Sequence, residues 1–187
     1  NFLYPACMTQ DKSPLRITMA QINPIVGDVK GNADQIINIF KDHLNASDLV
    51  VFSELVLSGY QPEDLVLSDS FMNTCRQEAE RIAEHCKHGP ALIFGSPWMT
   101  DKGMRQNCAL FIHEGEIKHI IAKRELPNYG VFDEVRVFKP GPFSEPVDYM
   151  DSGGDLLLIE VALVGHHNSD SGTNWPAPNL KGAFSLN

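Results

Sequence analysis

The segment Lys123-Arg-Glu-Leu-Pro-Asn-Tyr-Gly-Val-Phe-Asp-Glu134 indicates the fold most clearly, because it keeps a lysine, a Pro-Asn-Tyr-Gly turn and an acid together after an apolar strand. A second stretch, Asp48-Leu-Val-Val-Phe-Ser-Glu-Leu-Val-Leu-Ser-Gly-Tyr60, places Glu54 after another apolar run. Ligands of open α/β sheets bind at the carboxyl ends of the strands. Opposite charges that follow two apolar strands therefore predict an α/β domain with a site at that edge.

The composition is that of one globular domain. Of the 187 residues, 43% are apolar and 21% are charged, which is ordinary globular usage. The net charge of -9 argues against nucleic acid or an anionic membrane surface as a partner. No apolar run is long enough for a membrane span, and the N-terminus lacks the pattern of a signal peptide. These features predict a cytoplasmic protein that acts on small molecules or other proteins.

Hydrophobic periodicity predicts alternating strands and helices in the first half of the chain. Residues 15–23, 48–53 and 91–95 are predicted to be buried strands. Two helices are predicted between them, the first capped by Asn32 and the second by Asp69. Their apolar faces consist of Ala33, Ile36, Ile37, Phe40 and Leu44 in the first helix, and of Phe71, Met72, Cys75, Ala79, Ile82, Ala83 and Cys86 in the second.

The second half begins with a predicted hairpin and ends without a pattern. Residues 106–113 and 116–123 are predicted strands joined by Glu114-Gly115. Strand–helix alternation followed by a hairpin predicts a mixed sheet with helices packed on it. Residues 155–165 are compatible with one more strand, whereas residues 166–179 are rich in turn formers, which indicates loop or disorder.

Glu54 and Lys123 are the first candidates for chemistry. A carboxylate at the end of a central strand can take a proton from a thiol or water, although Glu54 is also compatible with a solvent-exposed loop acid. Lys123 ends the predicted strand that begins at Glu116, so its ammonium can lie near Glu54 and stabilise an oxyanion. An exposed strand-end lysine is the alternative. We expect the two residues at neighbouring strand ends.

Three further residues are candidates for a supporting role. Glu134 can orient or polarise the other two charges, or belong to a satisfied loop network. Tyr60 and Tyr129 offer a hydroxyl and a ring for a substrate, although buried tyrosines mostly serve packing. The adjacent His166 and His167 lack further ligands at suitable spacing, so no metal site is predicted.

The four cysteines show no sign of a disulfide or a metal site, and Cys75 and Cys86 are predicted to be reduced core thiols. Cys7, Cys75, Cys86 and Cys108 show no paired metal-ligand spacing. Cys75 and Cys86 lie on one predicted helix, where a rise of 1.5 Å per residue separates them by roughly 16 Å, too far for a disulfide. Cys108 lies in the middle of an apolar hairpin strand, which favours a packed thiol over a nucleophile.

Three blocks of sequence resemble a known family. They are Leu15-Arg-Ile-Thr-Met-Ala-Gln-Ile-Asn-Pro-Ile-Val-Gly-Asp28, Val51-Phe-Ser-Glu-Leu-Val-Leu-Ser-Gly-Tyr-Gln-Pro-Glu-Asp-Leu-Val66 and the segment 123–134 with Arg136 and Phe138 behind it. In this order they resemble the amino-terminal glutaminase domain of glutamine-dependent NAD+ synthetases, which belongs to the nitrilase superfamily. The resemblance covers about residues 15–149 and implies a nitrilase-type α-β-β-α sandwich, incomplete at the C-terminus.

The resemblance also implies a chemistry based on a Glu-Lys-Cys triad. A cysteine thiolate attacks the side-chain amide of glutamine, a thioester and ammonia form, and water releases glutamate. Glu54 falls on the family's general base, Lys123 on its lysine and Glu134 on its supporting acid, while Tyr60 lies in the loop that lines the glutamine pocket. In the complete enzymes, which are homo-oligomers, ammonia passes to a synthetase domain that uses ATP and magnesium to amidate nicotinic acid adenine dinucleotide.

The chain departs from the family after residue 149. The family continues with a nucleophile in an Ile-Cys-Glu-Asp-Ile-Trp type of motif, and nothing in residues 150–187 resembles it. This predicts an N-terminal extension at 1–14, a partial glutaminase domain at 15–149, and a divergent, poorly packed tail at 150–187 that reflects truncation or a frameshift. Three interpretations follow: an inactive enzyme fragment, a non-catalytic binding or assembly module of the same fold, or a fragment of a free-standing amidase, which the motif at 123–134 disfavours.

Overall fold

The computed structural model describes residues 14–142 and the main chain of two short strands at 147–150 and 156–159. The strands are β1 (Ile17–Ala20), β2 (Leu49–Phe52), β3 (Ala91–Met99), β4 (Arg105–His113), β5 (Glu116–Ala122), β6 (Asn128–Tyr129), β7 (Phe132–Asp133), β8 (Val147–Met150) and β9 (Leu156–Ile159). The helices are α1 (Val29–Asp42), α2 (Asp69–His85), α3 (Glu134–Val137) and a 3-10 helix at Glu63–Leu67.

The main sheet has five strands in the order β1-β2-β3-β4-β5. Strands β1, β2 and β3 are parallel to one another, while β4 is antiparallel to β3 and to β5. The hairpin between β4 and β5 turns at Glu114 and Gly115, which both adopt positive φ, as two-residue hairpin turns require. The predicted mixed sheet is confirmed, and β1, β2, β3 and β5 all end at the same edge.

Helices α1 and α2 pack on one face of this sheet. Alternation along the strands sends Phe52, Phe94 and Leu110 into this helix-covered core. Each large apolar side chain that is fully buried here contributes about 1.5–3 kcal/mol. The helices contribute Val29, Ala33, Ile36, Ile37 and Phe40 from α1 and Cys75, Ala79, Ile82 and Ala83 from α2, which confirms most of the predicted faces.

The start of α1 differs from the prediction. Asp28 is the N-cap, since its side chain accepts a hydrogen bond from the Gly31 amide at 3.0 Å. Asn32 lies within the helix, fully buried, and its amide bonds the main chain of Ile25 and the carbonyl of Leu57. Asn32 was therefore wrong as a cap because its side chain ties two loops together instead of its own helix.

The prediction of Asp69 as the cap of α2 was also wrong. Asp69 is the first helical residue, and the extended Ser68 precedes it as the N-cap. Leu44 lies two residues beyond the end of α1 and is 39% exposed, so it leaves the predicted apolar face.

Strand β1 is shorter and more exposed than expected. It ends at Ala20, and Ile17 and Met19 are 39% and 85% exposed. The reason is its position at the edge of the sheet, where a strand has one neighbour only. Strand β3 is longer than expected and continues to Met99.

The predictions for the two ends of the chain lie mostly outside the described residues. Strand β9 falls within the predicted strand at 155–165 and forms a two-stranded antiparallel sheet with β8. The predicted extension at 1–14, Cys7, and the tail including His166 and His167 fall almost entirely outside the described part. None of the described helices combines the length and apolarity that a bilayer span requires.

Candidate active site

The three charged candidates lie at the edge of the sheet where β2, β3 and β5 end. Glu54 follows β2 by two residues, and Lys123 directly follows β5. Glu134 is the first residue of α3, after the small β6–β7 hairpin. The segment 123–134 therefore carries two of the three charges on either side of one hairpin.

The strand ends that carry Glu54 and Lys123 are not neighbours, which corrects the sequence-based expectation. Strands β3 and β4 lie between β2 and β5. The gap is crossed because the chain after β2 lies against β3 at Gly95. A Cβ on Gly95 would stand 2.2 Å from the Leu55 nitrogen and 2.7 Å from the Glu54 Cα, so only glycine permits this approach.

The charged groups form one buried cluster. The Lys123 Nζ lies 2.7 Å from Glu54 Oε1 and 3.0 Å from Glu134 Oε1. The side chains of Lys123, Glu134 and Glu54 are 2%, 6% and 22% exposed. The expected proximity of Glu54 and Lys123 is confirmed, and the alternatives of a solvated loop acid and an exposed lysine are wrong.

Burial and pairing act against each other on the ionisation of this cluster. Burial by itself lowers the pKa of Lys123, but hydrogen bonds and charge attraction from Glu54 and Glu134 outweigh it and raise the pKa above its ordinary value. Burial raises the pKa of Glu134, and Lys123 only partly offsets this. The lysine is thus held fully charged between two carboxylates.

Asn107 is a member of the cluster that sequence reasoning missed. It lies on β4, fully buried, and its Nδ2 donates to Glu54 Oε1 at 2.6 Å. Its carbonyl accepts a hydrogen bond from the Lys123 backbone amide at 2.7 Å. The sequence signal that could have identified it is its position directly before the apolar residues 108–112. An amide buried with such a strand requires hydrogen-bond partners, which points to a polar cluster nearby.

An open cavity of about 370 Å³ adjoins the cluster. Glu54 and Lys123 line one part of it, and Tyr60 and Tyr129 line another. The two tyrosines are 43% and 49% exposed, so they are wall residues and not packed core residues. Burial is the main cause that raises the pKa of Tyr60, which keeps its hydroxyl protonated. The other lining residues are Ile22, Asn23, Pro24, Ser53, Pro127 and Phe132.

The described cysteines do not reach this cavity. Cys75, Cys86 and Cys108 are free and buried, which confirms that they are reduced core thiols. Burial raises the pKa of each to about 12. Cys108 belongs to the helix-covered core although it follows Asn107 directly, since consecutive strand residues face opposite sides of a sheet. Among the described residues, no cluster of His, Cys, Asp or Glu is arranged to hold a metal ion.

Comparison with known sequences shows that the chain is similar to glutamine-dependent NAD(+) synthetases. The glutamine-dependent NAD(+) synthetase of Thermotoga maritima is 42% identical over 131 residues, which cover 68% of this chain and 22% of that protein. The synthetase of the same name from Aquifex aeolicus is 38% identical over 148 residues, covering 79% of this chain and 24% of the relative. The chain thus matches about a quarter of the length of these relatives. No family model matches the sequence.

Comparison with solved structures finds proteins whose fold is similar to that of this chain. A glutamine-dependent NAD(+) synthetase from Cytophaga hutchinsonii superposes with a TM-score of 0.66 at 28% identity, covering 75% of this chain and 24% of that one. A mutant of a Nesterenkonia amidase from the nitrilase superfamily gives a TM-score of 0.61 at 25% identity, covering 77% and 54%.

The fold is that of the nitrilase superfamily. Within that superfamily, the matched part of the chain belongs to the family of glutamine-dependent NAD(+) synthetases.

Proposed function

We propose that this chain carries the base and the electrostatic groups of a site that hydrolyses the side-chain amide of glutamine. The observation that carries the proposal is the Lys123 ammonium, buried between two carboxylates at the wall of a substrate-sized cavity. A cation fixed in a dry site before the reaction stabilises an oxyanion far better than one in water.

Each charged group has a distinct role in the proposal. Glu54 is the most exposed of the three and lines the cavity, so it is the general base that takes the proton of the attacking thiol. Lys123 donates two hydrogen bonds to the glutamates and retains a third N–H for the oxyanion of the tetrahedral intermediate. Glu134 keeps Lys123 charged and in place.

The proposed reaction requires a thiolate that the described cysteines do not provide. Each has a pKa raised by burial to about 12, so almost none of it is ionised near neutral pH. The remaining cysteine, Cys7, precedes all three family-like blocks. We therefore propose that the isolated chain binds glutamine but does not hydrolyse it. This observation equally supports the second candidate function, a non-catalytic binding or assembly module of the same fold.

The proposed use of the ammonia follows from the relatives. In this proposal ammonia passes to a synthetase domain, which uses ATP and magnesium to amidate nicotinic acid adenine dinucleotide in the cytoplasm. Glutamine and that domain are then the partners of the chain, within a homo-oligomer. No cofactor takes part in the glutamine site itself.

Titration with L-glutamine, followed by NMR of the 15N-labelled chain, tests the proposal. We expect resonances around Tyr60, Lys123 and Tyr129 to shift with glutamine and much less with asparagine, whose chain is one methylene shorter. Glu54→Gln should weaken binding, while Glu84→Gln on the exposed face of α2 should not. Unchanged spectra at millimolar glutamine would disprove the glutamine site and favour the non-catalytic module.

A further inference from the structure

Asn107 is a fully buried amide that directly precedes the apolar residues 108–112 on β4. Burying an amide without partners costs about 1–3 kcal/mol in proteins, so its contacts indicate its function. Alternation along β4 places Asn107 on the same face as Ala109, opposite the helix-covered core that contains Cys108. This is the face where Glu54 passes over Gly95.

The hydrogen bonds of Asn107 reach two of the three charged residues of the cluster, Glu54 and Lys123. Its Nδ2 donates to Glu54 Oε1 at 2.6 Å. Its main-chain carbonyl holds the backbone of Lys123. Burial is the largest influence on Glu134 and raises its pKa, whereas the nearby Asn107 side chain acts to lower it.

Both hydrogen bonds to Glu54 converge on one oxygen. The Asn107 amide and the Lys123 ammonium donate to Oε1 at 2.6 and 2.7 Å. Within the described part of the chain, no donor contacts the other oxygen, Oε2. Two donors from different segments of the chain fix the rotation of the Glu54 carboxylate, so that its two oxygens are no longer equivalent.

We propose that Asn107 is a positioning residue, which together with Lys123 holds Oε1 of Glu54 and so makes Oε2 the proton-accepting atom. The naming of Oε2 as the base rests on the proposed function, whereas the positioning of Glu54 does not. Asparagine suits this place because the cluster already has two carboxylates for one ammonium. A neutral donor serves the carboxylates without adding charge, whereas aspartate in its place would add a third negative group.

The test compares two near-isosteric substitutions on the same strand. Asn107→Leu removes the amide from the cluster. Gln106→Met removes a buried amide from the adjacent position, which faces the other way and makes one long hydrogen bond of 3.4 Å to the Pro140 carbonyl. Asn107→Ser keeps a smaller donor and should give an intermediate result.

Two measurements distinguish positioning from a purely structural role. The first is the 13C-detected pH titration of the Glu134 carboxyl, which has Lys123, Glu54 and Asn107 as its neighbours. Its midpoint should move to higher pH in Asn107→Leu and stay unchanged in Gln106→Met. The second is glutamine affinity, which should fall about tenfold in Asn107→Leu, as expected for one weakened charge-assisted hydrogen bond.

Each outcome decides one of the two proposals. An unchanged Glu134 midpoint in Asn107→Leu would overturn the positioning role. A shifted midpoint in a chain that does not bind glutamine would support the positioning role and reject the glutamine site. If Asn107→Leu fails to fold, the test is made on the wild-type chain. Its Asn107 side-chain NH2 resonances should shift over the same pH range in which Glu134 titrates. Resonances that stay constant over that range would refute the place of Asn107 in the charged cluster.

Discussion

The two faces of the five-stranded sheet bury different chemistry. The face under α1 and α2 buries apolar side chains, including the thiol of Cys108. The other face ends in a buried lysine, a buried glutamate and the amide of Asn107. Strand β4 contributes to both faces, since Asn107 and Cys108 are consecutive. The comparison teaches that position along a strand decides which group reaches the site: the intrinsically reactive thiol is inert, and its neutral neighbour contacts the charges.

The largest expected effect on the free energy of unfolding comes from removing the positive charge of Lys123. In Lys123→Met, Glu54 and Glu134 lose the cation between them, and an uncompensated buried charge costs about 3–5 kcal/mol. Urea denaturation at neutral pH measures the loss. The control is Lys118→Met. Lys118 lies on β5 itself and pairs with the exposed Glu116, so the free energy of unfolding should change by no more than about 1 kcal/mol. Equal losses in both variants would contradict the buried cluster.

The pH dependence of stability sharpens the same comparison. The pKa of Lys123 is raised in the folded state above its ordinary 10.5. Its contribution is therefore fully present below pH 10.5 and is lost as the pH rises through the raised value. The free energies of unfolding of the wild type and of Lys123→Met should therefore become equal at pH values above the raised pKa. Convergence is also expected in acid, where Glu134, whose pKa is raised by burial, takes up a proton. A difference independent of pH would contradict the ionic account.

A substitution at Gly95 tests how the two faces are joined. In Gly95→Ala the new Cβ meets the main chain of Glu54 and Leu55, and we expect a loss of about 1–3 kcal/mol from overpacking. Displacement of Glu54 should also abolish glutamine-induced shifts. Gly103→Ala is the control, because its Cβ would meet no atom within 4 Å and it carries only the strain of positive φ. Retained glutamine binding in Gly95→Ala would show that the crossing at Gly95 does not place Glu54.

The smallest effect on the site is expected on the helix-covered face. Cys108→Ala removes a buried sulfur and should cost about 1 kcal/mol of stability. Glutamine-induced shifts and the Glu134 titration should remain those of the wild type. Glutamate release that is present in the wild type and absent from Cys108→Ala would make Cys108 the nucleophile and overturn the division between the faces.

Sequence reasoning recovered the residues of the site better than their arrangement. Glu54, Lys123 and Glu134 were found because each is a charge that follows an apolar strand or a turn. Asn107 was missed because it follows the polar Arg105 and Gln106 near the start of β4, where polar residues are common. The cap of α1 was assigned to Asn32 because asparagine is a preferred cap, whereas the helix uses Asp28 and buries Asn32.

The sequence by itself determined the alternation of strands and helices, the hairpin at Glu114-Gly115, the apolar faces and the three charged residues, because these depend on periodicity and turn chemistry within short windows. Only the tertiary structure decided that the ends of non-adjacent strands meet. Glu54 lies 53 residues from Asn107 and 69 from Lys123 in sequence. Their contact depends on the main chain passing closely over Gly95. No local pattern records such an approach, because it is a steric property of two segments that meet only in the folded chain.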